Sequence, residues 1–365
     1  MKKITTILFN TCMLILISCQ PSGNSSNMKG ESIEIPVTNT KTMQPSDLKD
    51  VQYIALEQAP NAALHSVNKI LACNGLFYLA DFMLAKISVY NQNGDVVFIL
   101  NEKGHGAGEY LEIANFTVDE EYIYVIDNYA GKLHSYDCHN GKFHETISLN
   151  DIIPQDITIV DNGFLFAVIP TNAEKGIKQS RHMLLQTDKR CNLKDEFLPY
   201  DDNTEEALSR HCYFVEGKNE VIFGSFSCDA YYRIPRDNPS RLTQTNIEFE
   251  RKMSAKERAD IDSYTNAERQ YIRETPLICG NHVYLSMRDG NKFTSYLYNI
   301  ADSSIQICPP FCLFEPRAVS DGRFLGIIEY PYYNMMKKKG IKTAPDEIER
   351  KLQEDALAIV LYEID

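Results

Sequence analysis

The chain has 365 residues, a formal net charge of −13 and 44% hydrophobic residues. This charge argues against a nucleic-acid partner, because proteins that bind a phosphate backbone present clusters of lysine and arginine. The hydrophobic fraction suits a large packed core and is too low for a protein with many membrane spans. Trp is absent, but 21 Tyr and 17 Phe supply the large rings of a core, and tyrosine suits half-buried sheet surfaces.

The first feature along the chain is an export signal. Lys2 and Lys3 precede a mostly apolar run from Ile7 to Ile17, which is too short to span a bilayer as a helix. The next letters are LISCQ, and residues 16–19 resemble the lipobox of bacterial lipoproteins. This resemblance implies cleavage before Cys19 and lipid attachment to its thiol. We therefore predict a signal peptide over 1–18 and a membrane anchor at Cys19; the alternative is a plain signal peptide with an incidental cysteine.

A polar segment follows the predicted anchor. Residues 19–30 are rich in Ser, Gly and Asn, a composition typical of a flexible tether. The resemblance to lipoproteins implies an outer-membrane location. No acidic residue occurs between Cys19 and Glu31, so an acidic tag for export to the cell surface is not evident. This favours the periplasmic leaflet over the cell surface.

A repeated unit begins beyond the tether. The stretch from Gly75 to Leu100 aligns with the stretch from Glu121 to Ile147. Three residues recur 46 positions later: Asp81 as Asp127, Lys86 as Lys132 and Tyr90 as Tyr136. Each copy reads as a strand, an Asp-led turn, a second strand, an Asn-Gly turn and a third strand. The dipeptides Asn93-Gly94 and Asn140-Gly141 predict hairpins with type I′ turns.

The aromatic-apolar strand of this unit occurs six times along the chain. Its copies are LFYLAD, YIYVID, GFLFAVI, EVIFGSF, HVYLSM and RFLGIIEY. A four-stranded antiparallel unit that repeats every 40–60 residues or so is typical of a β-propeller. The sequence therefore predicts an all-β fold, a six-bladed β-propeller over residues 31–365. The early strands ESIEIPV and VQYIALE are expected to close the ring beside the last strand, ALAIVLYEI.

The glycine-rich stretch NEKGHGAGEY, residues 101–110, superficially suggests a nucleotide-binding loop. A dinucleotide fingerprint requires G-x-G-x-x-G between a strand and a helix. Here the glycine spacing differs, and the next element is another strand, so no helix N-terminus would face a phosphate. We interpret the loop as a blade-to-blade crossover whose glycines allow a tight backbone path and whose Glu109 and Tyr110 tie it to its neighbour.

The same loop carries a family resemblance. The stretch EKGHGAGEYLEIANFTVD, with YIALE before it and YIYVID, HSYD and NGK after it, resembles the six-bladed β-propeller lipoproteins of Bacteroidetes, which are related to NHL-repeat propellers. The family pattern usually has proline where this chain has Ala107. The match is strong from Val51 to about Asp151 and fades to a strand pattern afterwards. It implies the fold, the lipid anchor and an exported location, but no activity, because the family is largely uncharacterised.

Two insertions interrupt the repeat. The first, residues 254–276, is predicted to be a helix, since Ser254 and Glu257 form a capping box and Pro276 ends it. The second is predicted to be a helix from Pro345 to about Asp355, with Pro near its first position. Both are expected on the propeller surface, where inserted loops often carry binding residues.

Three histidines, at positions 134, 139 and 144, suggest a metal site. A two-residue turn at Asn140-Gly141 would pair Asp137 with His144 and Ile147 with His134, so the three imidazoles could not meet on one ion. An alternative is a divalent cation held by acidic residues in the central channel, as in propeller lactonases. No ligand set for such an ion is evident from the sequence.

The remaining candidate surface is EYPYYNMM, residues 329–336, which reads as a loop. Its rings Tyr330, Tyr332 and Tyr333 form a tentative ligand surface for a sugar or peptide, with core packing as the alternative. No catalytic motif is recognisable. The favoured function is therefore a lipid-anchored module that binds an envelope protein, a glycan or a peptide, without a cofactor or catalysis. The alternative is a metal-dependent hydrolase or lyase that uses the central channel.

Overall fold

The computed structural model describes residues 31–35, 40–169, 180–200, 204, 208–266 and 268–365. The predicted signal peptide, the tether and Cys19 lie outside these residues. Within them, the strands form six sheets arranged as a β-propeller, which confirms the predicted fold class. No helix among the described residues is long and apolar enough to cross a membrane.

The first three blades are regular four-stranded antiparallel sheets. Each begins with its inner strand and ends with its outer strand. Blade 1 contains β4 (Lys69–Cys73), β5 (Leu76–Asp81), β6 (Lys86–Tyr90) and β7 (Val96–Leu100). Blade 2 contains β8 (Asn115–Val118), β9 (Tyr122–Asp127), β10 (Lys132–Asp137) and β11 (Phe143–Ser148). Blade 3 contains β12 (Asp156–Val160), β13 (Gly163–Ala167), β14 (His182–Thr187) and β15 (Leu193–Pro199).

The last three blades incorporate strands from the beginning of the chain. Blade 4 contains β16 (Phe214–Glu216), β17 (Glu220–Gly224), β18 (Ala230–Pro235), β19 (Thr243–Glu248) and β1 (Glu31–Glu34). Blade 5 contains β20 (Gln270–Ile272), β21 (Leu277–Cys279), β22 (His282–Asp289), β23 (Lys292–Asn299), β24 (Ile305–Cys308) and β2 (Lys41–Thr42). Blade 6 contains β25 (Pro316–Ser320), β26 (Arg323–Ile328), β27 (Ala358–Ile364) and β3 (Leu48–Ala55).

Ring closure follows the prediction for one early strand but not for the other. VQYIALE forms most of β3, which pairs antiparallel with β27 and completes blade 6. ESIEIPV contains β1, which instead runs parallel to β19 at the outer edge of blade 4, with Ile33 opposite Ile247. The reason is burial, because Ile33 and Ile35 join the apolar cluster between blades 4 and 5.

Buried side chains fill the wedges between neighbouring blades. Tyr78 of blade 1 packs in one cluster with Phe116 and Val125 of blade 2. Comparable clusters link blade 5 to blade 6 and blade 6 to blade 1. Since alternate residues of a strand point to opposite faces, a blade covered on both faces needs apolar residues at nearly every position. This explains the short continuous apolar runs in the second strands, of which YIYVID is one.

The Asn-Gly hairpins occur where predicted, but the predicted turn type is wrong. Gly94 and Gly141 adopt positive φ, whereas Asn93 and Asn140 do not, so these turns are not type I′. Both hairpins instead have a register shift beside the turn. The shift also changes the predicted pairing, because His134 lies opposite Thr146 and Tyr136 lies opposite Phe143.

The first predicted insertion helix is mostly wrong. Only α1 (Ala255–Arg258) is α-helical; a 3-10 turn (Ile261–Thr265) and strand β20 follow. The capping box of Ser254 and Glu257 is present. The helix ends early because Asp260 caps the next turn and Tyr264 and Tyr271 turn into a small core with Phe226.

The second insertion contains two helices. Helix α3 (Asp346–Gln353) agrees with the prediction, with Pro345 at its N-cap. The stretch EYPYYNMM was predicted to be a loop, but it forms most of helix α2 (Tyr330–Lys338). Proline tolerates the first turn of a helix, where its missing N–H is not needed, so Pro331 starts this helix rather than preventing it.

Candidate functional site

The inner strands surround a central cavity of about 940 Å³. Its walls come from the C-terminal ends of the inner strands and from the turns that follow them. Its mouth therefore lies on the face of the ring that carries the turns between first and second strands. The inner strands in the lining are β4, β8, β12, β16 and β25, and β3, β5, β26 and β27 of blades 1 and 6 add further lining residues.

Blade 5 contributes no residue to this lining. Its inner strand is excluded because β16 of blade 4 and β25 of blade 6 pack against each other. The cavity is therefore asymmetric, with blades 4 and 6 adjacent on one side and blade 2 on the opposite side of the ring.

The floor of the cavity is a buried polar cluster centred on Lys69. Its ammonium donates hydrogen bonds to Asn115 Oδ1 (2.9 Å), to the Phe116 carbonyl (2.9 Å) and to Asp156 Oδ1 (2.7 Å). The Asp156 carboxylate also accepts the backbone N–H groups of Ile157, Tyr213 and Phe214. The cluster thereby joins the inner strands of blades 1 to 4.

The charge on Lys69 is retained despite complete burial. Burial alone would lower the pKa of its ammonium, but the Asp156 carboxylate opposes this effect, and the pKa is raised overall. All three donors of an ammonium group are occupied, as is each carboxylate oxygen of Asp156. We therefore assign this pair to closure of the channel rather than to ligand binding.

A second polar layer lies on the blade 3 and blade 4 side of the cavity. Glu216 forms an ion pair with Arg236 and accepts a hydrogen bond from the Thr158 hydroxyl at 2.9 Å. Arg236 also donates to the Ile159 and Gly217 carbonyls. Both charges of this pair are therefore satisfied within the wall.

Cys212 and Arg317 also belong to the lining. Burial raises the pKa of the Cys212 thiol to about 12, so the thiol is protonated at neutral pH and is a poor nucleophile. Arg317 is exposed within the cavity. Among the described residues, no acidic side chain forms an ion pair with it.

The described residues provide no metal site. No group of three or more His, Cys, Asp or Glu side chains is placed to hold a metal ion in the part of the chain that the structure describes. At the cavity floor the Lys69 ammonium would repel a divalent cation. A divalent cation in the central channel stays an alternative prediction.

The three histidines of the second blade do not converge. His134 is buried, with Nδ1 2.9 Å from the Thr146 hydroxyl. His139 is exposed in the turn, and His144 stacks on Tyr122 with ring centroids 4.4 Å apart. The three imidazoles are therefore apart, as the sequence analysis expected. The strand pairing from which it reasoned was wrong, because His134 lies opposite Thr146 and not opposite Ile147.

The tentative tyrosine surface is only partly accessible. Tyr333 is completely buried; its hydroxyl donates to Glu349 and accepts the Ala344 N–H, each at 3.0 Å. Tyr330 and Tyr332 are half-buried, and the Tyr332 hydroxyl donates to the Leu313 carbonyl. A ligand surface at Tyr330 and Tyr332 stays a prediction, while Tyr333 is placed in the core.

The sequence analysis missed the floor residues. Lys69, Asn115 and Asp156 stand at the start of three consecutive inner strands, in NKI, ANF and QDI. Lys69 and Asn115 are 46 residues apart, the same spacing as the recognised repeat. A polar residue at the first position of three consecutive inner strands, β4, β8 and β12, is the signal that could have identified them.

Comparisons with known proteins are consistent with this architecture. A family profile described as "Domain of unknown function (DUF4934)" matches residues 31–360, and no curated protein matches. A "Putative exported protein" from Bacteroides fragilis NCTC 9343 has a similar structure, with 16% identity, a TM-score of 0.72, and coverage of 92% of this chain and 99% of that one. This likeness shows the fold alone.

Two further solved structures are more distant. A member of the DUF4221 family from Bacteroides vulgatus ATCC 8482 has 13% identity and a TM-score of 0.50, with coverage of 87% of this chain and 97% of that one. A virginiamycin B lyase from Staphylococcus aureus has 12% identity and a TM-score of 0.38, with coverage of 76% and 78%. At that score the lyase carries no argument about this chain.

Proposed function

This chain belongs to the DUF4934 family, and from that premise we propose that it is an extracytoplasmic binding module whose ligand occupies the central cavity. The observation that carries the proposal is a cavity of about 940 Å³ with a closed floor and a polar wall. Small-ligand sites commonly have volumes of about 300–1,000 Å³. The described lining contains no recognisable catalytic arrangement, which favours binding over catalysis. The ligand classes are those of an envelope partner: a protein segment, a glycan or a peptide.

We further propose that a lipid on Cys19 anchors the protein to the periplasmic leaflet of the outer membrane. Support comes from the lipobox-like residues 16–19 and the polar tether after them. The fold likeness to a "Putative exported protein" is consistent with export. More than one acyl chain would make the anchor durable, since a single chain gives only reversible membrane binding.

The binding proposal is tested by narrowing the cavity mouth. Ser320→Trp and Lys218→Trp place an indole in the mouth from blades 6 and 4. We expect both variants to lose ligands that the wild-type protein retains from an envelope extract, as measured by native mass spectrometry. Asn281→Trp is the matched control, because Asn281 occupies the corresponding turn of blade 5, outside the cavity lining. Equal retention by all four proteins would contradict the proposal.

The anchor is tested separately by metabolic labelling with a fatty acid. We expect the wild-type protein to incorporate the label and to fractionate with the outer membrane. Cys19→Ala should remove both properties. An unlabelled wild-type protein would show that Cys19 is not a lipid attachment site, without affecting the binding proposal.

A further inference from the structure

The charges of the central cavity are distributed unequally around its axis. Blade 2 contributes Asp119 and Glu120 to the lining and no cation, whereas blades 4 and 6 contribute Lys218, Arg317 and Arg323. In a sixfold ring blade 2 lies opposite blade 5. The inner strands of blades 4 and 6, β16 and β25, contact each other between blade 5 and the cavity, so blade 2 faces blades 4 and 6. An acidic wall therefore faces a basic wall across the cavity.

Other charged lining residues do not remove this polarity. Glu216 and Arg236 neutralise each other in their ion pair. Asp161 and Lys189 both belong to blade 3, between the two walls. Asp321 lies in the blade 6 turn, so it reduces the positive charge at the rim but not at the depth of Arg317.

Two of the facing charges are available to a ligand. Arg317 has no ion-pair partner among the described residues. Arg317 is the second residue of β25, which packs against β4 and β16, so it lies one position along its strand from the level at which the floor residue Lys69 begins β4. On the acidic side, Asp119 is occupied by the N–H groups of Glu121 and Tyr122. This leaves the exposed Glu120 carboxylate, which forms no ion pair within the described chain.

The residue types of the lining favour one of the ligand classes proposed above, a peptide, over another, a glycan. Sugar rings are commonly bound by stacking on exposed aromatic faces. The aromatic residues of this lining are Phe77 and Phe214, and both are buried, at 4% and 2% exposure. The cavity thus offers opposite charges but no exposed ring, which suits a zwitterion better than a glycan.

We propose that the central cavity binds short peptides with free ends, with the carboxylate held by Arg317 and Lys218 and the amino group held by Glu120. This inference rests on the proposed binding function and names its ligand. Arginine is well suited to the first role because its guanidinium forms two parallel hydrogen bonds to a carboxylate. The cavity volume accommodates a ligand of tripeptide size.

The test uses a mixed-sequence pool of synthetic tripeptides, which avoids dependence on one set of side chains. Two matched pools carry a C-terminal amide or an N-terminal acetyl group. Retention by the purified protein is measured by equilibrium dialysis and mass spectrometry. We expect each blocked pool to be retained about tenfold less than the free pool, because each lacks one charge-assisted hydrogen bond.

Single variants assign the two ends. Arg317→Gln should remove the preference for a free carboxylate, and Glu120→Gln should remove the preference for a free amine. Arg350→Gln is the control, because Arg350 is exposed on α3, outside the cavity lining, and its ion-pair partner within the described chain is the neighbouring Glu354. It should retain both preferences. Circular dichroism of each variant establishes that the propeller is folded.

The peptide proposal would be overturned if the protein retained the free and amidated pools equally, or if it retained no tripeptide from any pool. The binding function would still stand if Ser320→Trp, but not Asn281→Trp, lost the ligands of the envelope extract. If that difference were also absent, both proposals would fail. The two experiments together therefore separate an incorrect ligand from an incorrect site.

Discussion

Lys69 and Asp156 link blades 1 and 3 at the centre of the ring. Both side chains are almost completely buried, at 2% and 0% exposure. Removing one partner of a buried ion pair leaves an uncompensated charge and typically costs about 3–5 kcal/mol. We expect Lys69→Met to lower the free energy of unfolding by at least about 3 kcal/mol, measured by urea denaturation.

The matched control is the ion pair of Lys49 with Asp365. These side chains are 54% and 56% exposed, and exposed pairs contribute about 0–1 kcal/mol. Lys49→Met should therefore change the free energy of unfolding by less than about 1 kcal/mol. Equal losses in the two variants would show that the Lys69 cluster does not stabilise the ring.

Asp81 and Asp127 show why the repeat has an aspartate at the end of its second strand. The Asp81 carboxylate accepts the N–H groups of His65, Ser66 and Leu84, at 2.7, 2.9 and 3.0 Å. Asp127 accepts those of Leu111 and Ala130 in the same way. Each aspartate therefore fixes its own turn and the preceding crossover. The repeat in the sequence predicts an Asp-led turn at both positions, and these bonds show what the aspartate does there.

Asp81→Asn should destabilise the protein in a pH-dependent manner. An amide nitrogen cannot accept a hydrogen bond, so about 1–3 kcal/mol should be lost at neutral pH. Burial alone would raise the pKa of Asp81, but the backbone hydrogen bonds outweigh it and hold the pKa below its usual 3.8. A carboxyl group whose pKa is lower in the folded state than in the unfolded state stabilises the fold at pH values above its unfolded-state pKa. This contribution is lost as the pH falls through the folded-state pKa.

The difference between wild type and Asp81→Asn should therefore be constant above about pH 5 and shrink as the pH falls below 3.8. Urea denaturation over this range measures it. A difference that does not change with pH would mean that the carboxylate charge contributes nothing to folding.

At the scale of elements, the glycine-rich crossover of residues 101–110 is a compact turn. The next element is strand β8, so no helix N-terminus faces the loop to bind a phosphate. The Gly104 N–H donates to the Tyr110 carbonyl, and the Tyr110 N–H donates to the Glu102 carbonyl. The Gly106 N–H donates to the Glu109 carboxylate at 2.7 Å. The Tyr110 hydroxyl donates to the Ala85 carbonyl of blade 1. Tyr110 therefore ties the crossover to its neighbour as predicted, whereas the Glu109 carboxylate binds within the loop, where Gly104 and Gly106 leave room for it.

Gly108 is the glycine of this loop that should tolerate substitution least. Its φ is +78°, and an added Cβ would lie 2.5 Å from Cγ of Phe143. Gly131 is the matched control, with φ of +64° and no atom within 4 Å of an added Cβ. Left-handed backbone costs a non-glycine residue about 1–2 kcal/mol. We expect Gly131→Ala to lose this amount and Gly108→Ala to lose at least about 1 kcal/mol more, measured by denaturation. Equal losses would indicate that the Phe143 ring moves away without cost.

The sequence predicted elements well where local pattern and packing agree. The six second strands were found because their apolar runs are buried on both faces. The turn type of the Asn-Gly hairpins was not found, because Asn-Gly also fits a longer hairpin loop in which the glycine alone has positive φ and a register shift follows. Helix 254–276 failed for a different reason: Tyr264 and Tyr271 are fixed by a core with Phe226, which is distant in sequence.

At the scale of the whole molecule, the number of blades was predictable from the repeat, but the cavity was not. Its floor depends on Lys69, Asn115 and Asp156 meeting across three blades. Its asymmetry depends on β16 and β25 excluding blade 5. The sequence can mark the floor residues by their position at the start of inner strands, but it does not show that they meet or that blade 5 is excluded, because both arrangements arise when the ring closes.

Closure of the ring depends on β3, which leads to a prediction for the folding of the whole molecule. Strand β3 pairs along β27 from Leu48 to Ala55, and Ile54 joins the apolar cluster between blades 6 and 1. A chain that begins at Thr40 lacks β1 but keeps β3, and it should fold with reduced stability because Ile33 and Ile35 are missing from their cluster. A chain that begins at Leu56 lacks β3 and leaves the edge of β27 unpaired.

We expect the chain beginning at Leu56 to aggregate or to unfold without cooperativity, since an open apolar edge strand recruits other chains. Size-exclusion chromatography and thermal unfolding followed by circular dichroism measure this outcome. A synthetic peptide of residues 48–56 added in trans should restore part of the monomeric, cooperative fraction by pairing with β27. If the chain from Leu56 instead unfolded cooperatively at the same midpoint as the chain from Thr40, the ring would not depend on β3. Five complete blades and an open sixth would then be sufficient for folding.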